Sequence, residues 1–344
     1  MLEKGLIQVY HTGSSDRVNL APFGLSLRAA GQGLRVLVVT GFVPFELMQG
    51  ASAATALLKP NLVIDCPDAE EGESPGIQHD ERLLASFQRA LLAVKAADFD
   101  IVILDGILSM IREGLVPLEE ILALMQEKPP TVELVLTGLY APGEIIDRAD
   151  LVTEMVLRSP EKGPGKGSLR GEGAQVEVVT GDGKGKTTYC LGKAMLTSCL
   201  ETSCAILQFI KSPKPYGEVK AIGRLPNLSI NTMGEGFVGM DGGPVQERHL
   251  HAAARAWEVA VREISSNKYG LLALDEINIA TYYGLIRAEQ VREVLESKPE
   301  GLHLLLSGRN AHPEVVEAAT TVIEMKEIKH PFSKGVRARK GIEF

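Results

Sequence analysis

The chain has 344 residues, is 45% hydrophobic and 23% charged, and carries a formal net charge of -8. That length has room for two domains of ordinary size, each with its own core, and the acidic balance argues against a duplex nucleic-acid binder, whose affinity comes mainly from Lys and Arg set against phosphates. No apolar run approaches the length that spans a bilayer, and the opening residues lack the apolar centre of a signal peptide, so a cytoplasmic protein with neither membrane nor nucleic-acid partners is expected.

In chain order, the first half reads as a strand in LIQVYH, a helix near Leu20 to Ala30, strands in LRVLVVT and NLVID, and a long helix around His79 to Ala96. A strand in FDIVIL, a helix from Leu118, and strands in VELVLT and LVTEMVL follow. Such alternation implies an α/β fold: a mainly parallel sheet covered on both faces, with ligands at the carboxyl ends of its strands. Cys66, Cys190, Cys199 and Cys204 form no CxxC pair and read as reduced, mostly buried thiols. The segment SPEKGPGKGSLRGEGA, Ser159 to Ala174, is rich in Gly and Pro, has no apolar periodicity and reads as a flexible linker between residues 1–158 and 175–344.

The second half opens on VEVVTGDGKGKTTYCLGKA. Val176 to Val179 read as a buried strand and Lys186 to Leu196 as a helix, joined by a loop carrying Gly181, Gly183 and Gly185. Glycines let successive N–H groups turn inward around a phosphate; Lys186 adds a point charge, and Thr187 places a hydroxyl where a phosphate-bound Mg²⁺ needs a ligand. The helix N-terminus contributes a partial positive charge. Thr180 stands where the usual GxxxxGK[ST] pattern has glycine. A glycine-rich turn that binds nothing is the plain alternative, but strand, loop, Gly-Lys-Thr-Thr and helix occurring in the required order argue against it.

Further along, the strand YGLLALDEI ends in Asp275 and Glu276, a pair able to hold Mg²⁺ directly or through water beside Thr187. The strand in LHLLLSGRNAH brings Arg309 to its carboxyl end, within reach of phosphates, while His312 before Pro313 reads as a helix start. The closing segment crowds Lys326, Lys329, Lys334, Arg337, Arg339 and Lys340 together, with Phe332 and Gly335 punctuating them as in a structured loop.

The two halves repeat one plan. An offset of 170 pairs Asp105 with Asp275, Gly138 with Gly308 and Met155 with Met325, and one of 168 pairs Thr12-Gly13 with Thr180-Gly181 and Gly24 with Gly192. This period means duplicated domains. The first copy has lost its chemistry: Val18 replaces the lysine and Asn19 the threonine, Asp16 puts a negative charge where phosphate would lie, and Asp105-Gly106 replaces the acidic pair.

The motifs TGDGKGKTT, QFIK (Gln208 to Lys211), GEGF (Gly234 to Phe237), LDE, SGRNAH and KHPFSKGVRARKGIEF resemble the ordered motifs of corrinoid adenosyltransferases of the CobA type, which act on cob(I)alamin or cob(I)yrinic acid a,c-diamide. The likeness runs from Val176 to Phe344, and Thr180 belongs to that family's own loop, TG(N/D)GKGKTT. It implies two tandem three-layer α/β/α P-loop (RecA-like) domains with mainly parallel sheets, the first inactive. It also implies transfer of the 5′-deoxyadenosyl group of MgATP to the Co(I) of a corrinoid with release of triphosphate, in adenosylcobalamin biosynthesis or salvage.

By position, Gly181, Asp182, Gly183, Lys184, Gly185, Lys186, Thr187 and Thr188 would hold the triphosphate, with Arg309 and Lys211 as further contacts. Thr187, Glu276 and Asp275 would serve Mg²⁺, and Phe237 would face the corrinoid, displacing its lower axial ligand. The chain has Phe237-Val238-Gly239 where the family often has Phe-Thr-Trp, Arg339 where glutamine is common, and Glu343-Phe344 where Asp-Tyr is common. A flavodoxin-like reductase partner and a pseudo-dimer within one chain are further implications. The alternative from another class is an ATP-binding regulatory protein that controls a partner without adenosyl transfer.

Overall fold

The computed structural model describes residues 2–13, 19–41, 45–66, 77–159, 175–236, 244–331 and 335–344. The first half runs β1 (Ile7–Thr12), α1 (Ala21–Gly31), β2 (Val36–Thr40), α2 (Phe45–Leu58), β3 (Leu62–Asp65), α3 (Ile77–Ala96), β4 (Ile101–Asp105), α4 (Ile107–Arg112), α5 (Leu118–Glu127), β5 (Glu133–Leu139), α6 (Gly143–Arg148) and β6 (Leu151–Ser159). The second runs β7 (Val176–Thr180), α7 (Lys186–Ser198), β8 (Cys204–Gln208), α8 (Gly217–Ile222), β9 (Leu228–Thr232), α9 (Glu247–Ser265), β10 (Leu271–Asp275), α10 (Ile277–Tyr282), α11 (Ala288–Ser297), β11 (His303–Ser307), α12 (Pro313–Ala318) and β12 (Thr321–Lys329). Of the segment read as a linker, residues 160–174 lie outside the described residues.

Fully buried, β-branched runs such as Val36 to Thr40 and Ile101 to Asp105 become interior strands because both of their faces are covered by helices. All the strands form one sheet of twelve, in the order β3-β2-β4-β5-β1-β6-β12-β7-β11-β10-β8-β9. Written in terms of the two copies the order is a palindrome, and its centre is the pair β6–β12, which is antiparallel while every other pairing is parallel. The halves are thus related by an approximate two-fold axis between β6 and β12, an arrangement in which like surfaces meet.

Strand register corrects one sequence pairing. Ile7 pairs with Leu134 and Val176 with Leu304, and Leu134 and Leu304 correspond at the offset of 170, so β1 maps onto β7 at 169 and Gln8 corresponds to Glu177. The matching Thr-Gly pairs suggested 168; a slip of one residue would send every side chain to the opposite face. In α1 and α7 the offset of 168 does hold, because Gly24 meets Thr188 and Gly192 meets Leu20, reciprocal contacts at that spacing.

A separate core for each half is found on one face of the sheet only: α3, α4 and α5 cover the first half, and α9, α10 and α11 the second. On the other face, α1, α2, α7 and α8 share a single core drawn from both halves. That shared layer carries the site. Among the described residues, no helix is long and apolar enough to cross a membrane.

Candidate functional site

The loop between β7 and α7 follows from its glycines. Gly181 sits at φ +95° and Gly185 at φ +120°, backbone conformations that L side chains rarely adopt. Close packing adds to this, since a Cβ on Gly181 would stand 2.4 Å from the Met325 carbonyl oxygen of β12, the oxygen that accepts the Gly183 N–H at 2.7 Å. Lys186 starts α7 and turns back into the loop, donating from Nζ to the Gly183 carbonyl at 2.7 Å. Burial pushes its pKa down to about 8, against the opposing pull of Glu276.

The Thr187 hydroxyl donates to Asp275 Oδ1 at 2.9 Å. Asp275, wholly buried at the end of β10, also accepts from Ser307 Oγ at 2.6 Å and Gln208 Nε2 at 2.8 Å. Its oxygens are therefore engaged with the protein, and it orients Thr187. Glu276 is different. It is held at φ +63°, a left-handed conformation uncommon for a residue with a Cβ, and the matching residue of the first half is Gly106 at φ +91°. Burial, then the neighbouring Asp275, raises the Glu276 pKa to about 7. Gly308 leaves it room: a Cβ there would lie 3.1 Å from Glu276 Oε2. Thr187 Oγ1 and the Glu276 carboxylate are hard oxygen donors of the kind that Mg²⁺ takes alongside phosphate oxygens and water, so the residues fit that ion.

Arg309 Nη2 donates to the Asp182 carbonyl at 3.1 Å, placing the guanidinium on the loop. Lys211 bonds Glu218 at 2.7 Å and lies over the Tyr216 ring. Lys184 bonds Glu343 of the C-terminal tail at 2.6 Å. Loop, Lys211, Glu276 and Arg309 line one pocket of about 580 Å³. Phe237 lies outside the described residues, as do Phe332 and Lys334.

Sequence reasoning missed the fourth wall. Gln8, Tyr10, Leu25 and Arg28, all from the first half, line the same pocket, together with tail residues such as Arg337, Ile342 and Glu343. The tail is tied to the first half by Arg339, whose two terminal nitrogens meet the buried Glu133 carboxylate at 2.7 and 2.9 Å. Arg339 thus answers a charge in the other half. The one sequence signal was the structured look of the basic tail; nothing local marks Glu133 or Arg28.

In the first half, Asp105 keeps two of the three hydrogen bonds of its counterpart, from Thr40 at 2.6 Å and Thr137 at 2.5 Å, and burial raises its pKa. The residue at the threonine position, Asn19, instead accepts the Ala21 N–H at 3.0 Å, two residues ahead of the start of α1. Residues 14–18, with Asp16 and Val18, lie outside the described residues.

A family model described as ATP:corrinoid adenosyltransferase BtuR/CobO/CobP matches residues 3–162 and again 172–344. The chain is 35% identical over 176 residues to the corrinoid adenosyltransferase of Pseudomonas aeruginosa, covering 51% of this chain and 86% of that one. It is 39% identical over 170 residues to the corrinoid adenosyltransferase of a Sinorhizobium species, 48% of this chain and 78% of that one. An uncharacterised protein of Nostoc is 30% identical over 263 residues, 73% of this chain and 68% of its own length.

Proposed function

We propose, for a chain that belongs to the ATP:corrinoid adenosyltransferase family BtuR/CobO/CobP, that the second-half pocket holds MgATP and a reduced corrinoid together. The chain is a transferase: the Co(I) electron pair attacks C5′ of ATP, the Co–C bond forms as the C5′–O bond breaks, and that bond's electrons leave with triphosphate. There is no proton to move, so the protein's work is positioning and charge stabilisation.

Lys186, with its pKa near 8, is mostly cationic at neutral pH and answers the triphosphate charge together with Arg309 and the N-terminus of α7. Thr187 and Glu276 would hold Mg²⁺, which neutralises phosphate charge when bound, while Asp275 fixes the Thr187 hydroxyl. Phe237, by the family likeness alone, is assigned to the corrinoid side. The observation that carries this reading is Glu276 itself: a carboxylate kept in a strained backbone conformation beside Lys186 and Thr187, where the inert copy has relaxed to glycine.

The first half then stands where a second subunit would, making one chain a pseudo-dimer. The palindromic sheet and the shared helix layer support this. Action in the cytoplasm with a flavodoxin-like reductase as electron donor belongs to the same proposal, on the family likeness. The test mixes the protein with ATP, Mg²⁺ and chemically reduced cobalamin or cobinamide. The expected result is the absorbance change of Co–C bond formation with triphosphate released in equal amount; free phosphate without a Co–C bond would overturn the reading in favour of an ATP-hydrolysing switch.

A further inference from the structure

The inert half reaches into the active pocket through one buried ion network. Arg28 of α1 meets Glu218 of α8, with Nε at 3.0 Å from Oε2 and Nη2 at 3.4 Å from Oε1. Lys211, on the pocket wall, meets Glu218 Oε1 at 2.7 Å. Glu218 is fully buried and Arg28 nearly so. The third nitrogen of Arg28, Nη1, donates to the carbonyl of Ile342 at 3.1 Å, so the same side chain also holds the tail that closes the pocket. Arg28 and Lys211 together hold the Glu218 pKa down at about 2 against the cost of burial, so the carboxylate stays charged.

The approximate two-fold axis supplies an internal control. Gly217 of α8 abuts the carbonyl of Arg28, and Gly50 of α2 abuts the carbonyl of Leu196 in the same way; added Cβ atoms would lie 2.1 and 2.4 Å from those oxygens. Arg28 and Leu196 correspond at the offset of 168 that relates α1 to α7, so the residue after each glycine corresponds too: Glu218 to Ala51. On the side without a phosphate loop the ion pair is therefore replaced by Leu196 and Ala51, both fully buried in the shared core. The sequence has no cation to match Lys211 either, since Val43 stands at the offset of 168. The same helix contact forms without any of the three charges. Their presence on one side only thus answers a need of the site, for which a buried ion pair offers little net stability in its own right.

We infer that Arg28, contributed by the inert half, is a positioning residue of the active site: through Glu218 it fixes Lys211 on the pocket wall for an anionic ligand, and through Ile342 it holds the tail closed. The ligand chemistry is a phosphate chain, and in this respect the inference rests on the reading of the pocket as an ATP site.

The experiment uses the full chain and the double variant Arg28→Leu/Glu218→Ala, which copies the arrangement already present at Leu196 and Ala51. It is expected to unfold as cooperatively as the wild type yet to lose kcat/KM for ATP by on the order of 10- to 100-fold, the size of effect that slight misplacement produces. In a Lys211→Met background the same double substitution is expected to cost clearly less, since the part carried through Glu218 and Lys211 is already lost and only the hold on Ile342 remains. Arg28→Lys, which keeps the charge but not the fork, should fall between the two. Wild-type kcat/KM in the double variant or in Arg28→Lys, or an undiminished loss in the Lys211→Met background, would overturn the inference. Calorimetric MgATP affinity of the same proteins reads Arg28 independently of corrinoid chemistry, so a wild type that binds MgATP but forms no Co–C bond would count against the proposed reaction alone.

Discussion

Gly24 and Gly192 let α1 and α7 cross backbone against backbone: a Cβ on Gly24 would stand 1.8 Å from the Thr188 carbonyl oxygen, and one on Gly192 would stand 2.1 Å from that of Leu20. Each is backbone contact, which no side-chain rotation can relieve. Gly24→Ala and Gly192→Ala should each destabilise the chain, by about 1–3 kcal/mol for overpacking, read as a fall in the midpoint of denaturant unfolding. Because Thr188 follows Thr187 directly, Gly24→Ala should also lower kcat/KM, although it lies in the first half. Unchanged activity in a correctly folded Gly24→Ala protein would show that the crossing does not set the loop.

Lys186→Ala removes the point charge at the head of α7 and should abolish measurable ATP binding or turnover, since the charge lost is the buried one inside the phosphate loop itself. Equilibrium dialysis of the wild type should find one nucleotide per chain. Two would mean that the first half still binds, despite Asn19 in the threonine position and Val18 in that of lysine. Val18→Ala should leave kcat/KM within twofold of the wild type.

The strands of the first half were legible because buried strands in a doubly covered sheet are continuous apolar runs, and the phosphate loop because its glycines and Lys186-Thr187 are contiguous; α1, α3, α5 and α7 were read as helices, but α2, of 14 residues, was not. Short α4, α6 and α10 were not, since a helix of six residues is too brief to display a period, whereas α12 announced its start through His312 and Pro313. The contribution of Arg28 was hidden for another reason. Its partners lie far off in sequence, Glu218 at a separation of 190 residues and Ile342 at 314, and only the meeting of the two halves brings them together. The Gly24 and Gly192 match was seen as a mark of duplication; its cause, close packing on the axis between the copies, needed the structure.

A buried cluster beneath the site predicts a pH dependence of stability. Glu177 of β7 accepts from Tyr189 at 2.7 Å, pairs with Lys193 of α7, and lies 3.2 Å from Nε2 of His303. Burial, then Lys193, pushes the His303 pKa down to about 4. The unfolded chain therefore binds this proton more tightly than the folded one: the contribution is complete above the ordinary histidine value near 6.5 and is lost as pH falls from there toward 4. Glu218, held at about 2, should lose its own contribution in a separate window below its ordinary value of 4.5. Unfolding midpoints followed from pH 7 down to 4 should drop, the His303 part amounting to a few kcal/mol at about 1.4 per pK unit. His303→Gln should flatten that slope. An equal slope in the variant would place the sensitivity elsewhere.

Phe237, assigned by family likeness to the lower face of the corrinoid, gives a substrate test. If it helps to displace the lower ligand, Phe237→Ala should impair turnover of cobalamin, which has that ligand, more than of cobinamide, which lacks it. With Gly239 in place of a second aromatic, the wild type itself should favour corrinoids without the lower ligand. Equal losses on both would reduce Phe237 to a general contact.

The centre of the sheet predicts the state of assembly. In the intact chain β12 is paired on one edge with β7 and on the other, antiparallel, with β6, and α7 packs on α1. A fragment of residues 175–344 would bare the edge of β12 and the face of α7 together, an unpaired strand edge beside an apolar layer, which is the arrangement that recruits another chain. Because β6 and β12 correspond at the offset of 170, a second copy of the fragment offers β12 in place of β6, closing the same antiparallel contact about a true two-fold axis. The substitute is imperfect, since that copy brings Leu196 where Arg28 stood and His303 where Glu133 met Arg339. The full chain should therefore be monomeric by light scattering, with its two-fold contact already satisfied within itself. The fragment should dimerise or aggregate and show a weakened kcat/KM for ATP. A full-length chain that dimerises stably, beside a fragment that is monomeric and fully active, would mean that the first half neither completes the sheet nor serves the pocket.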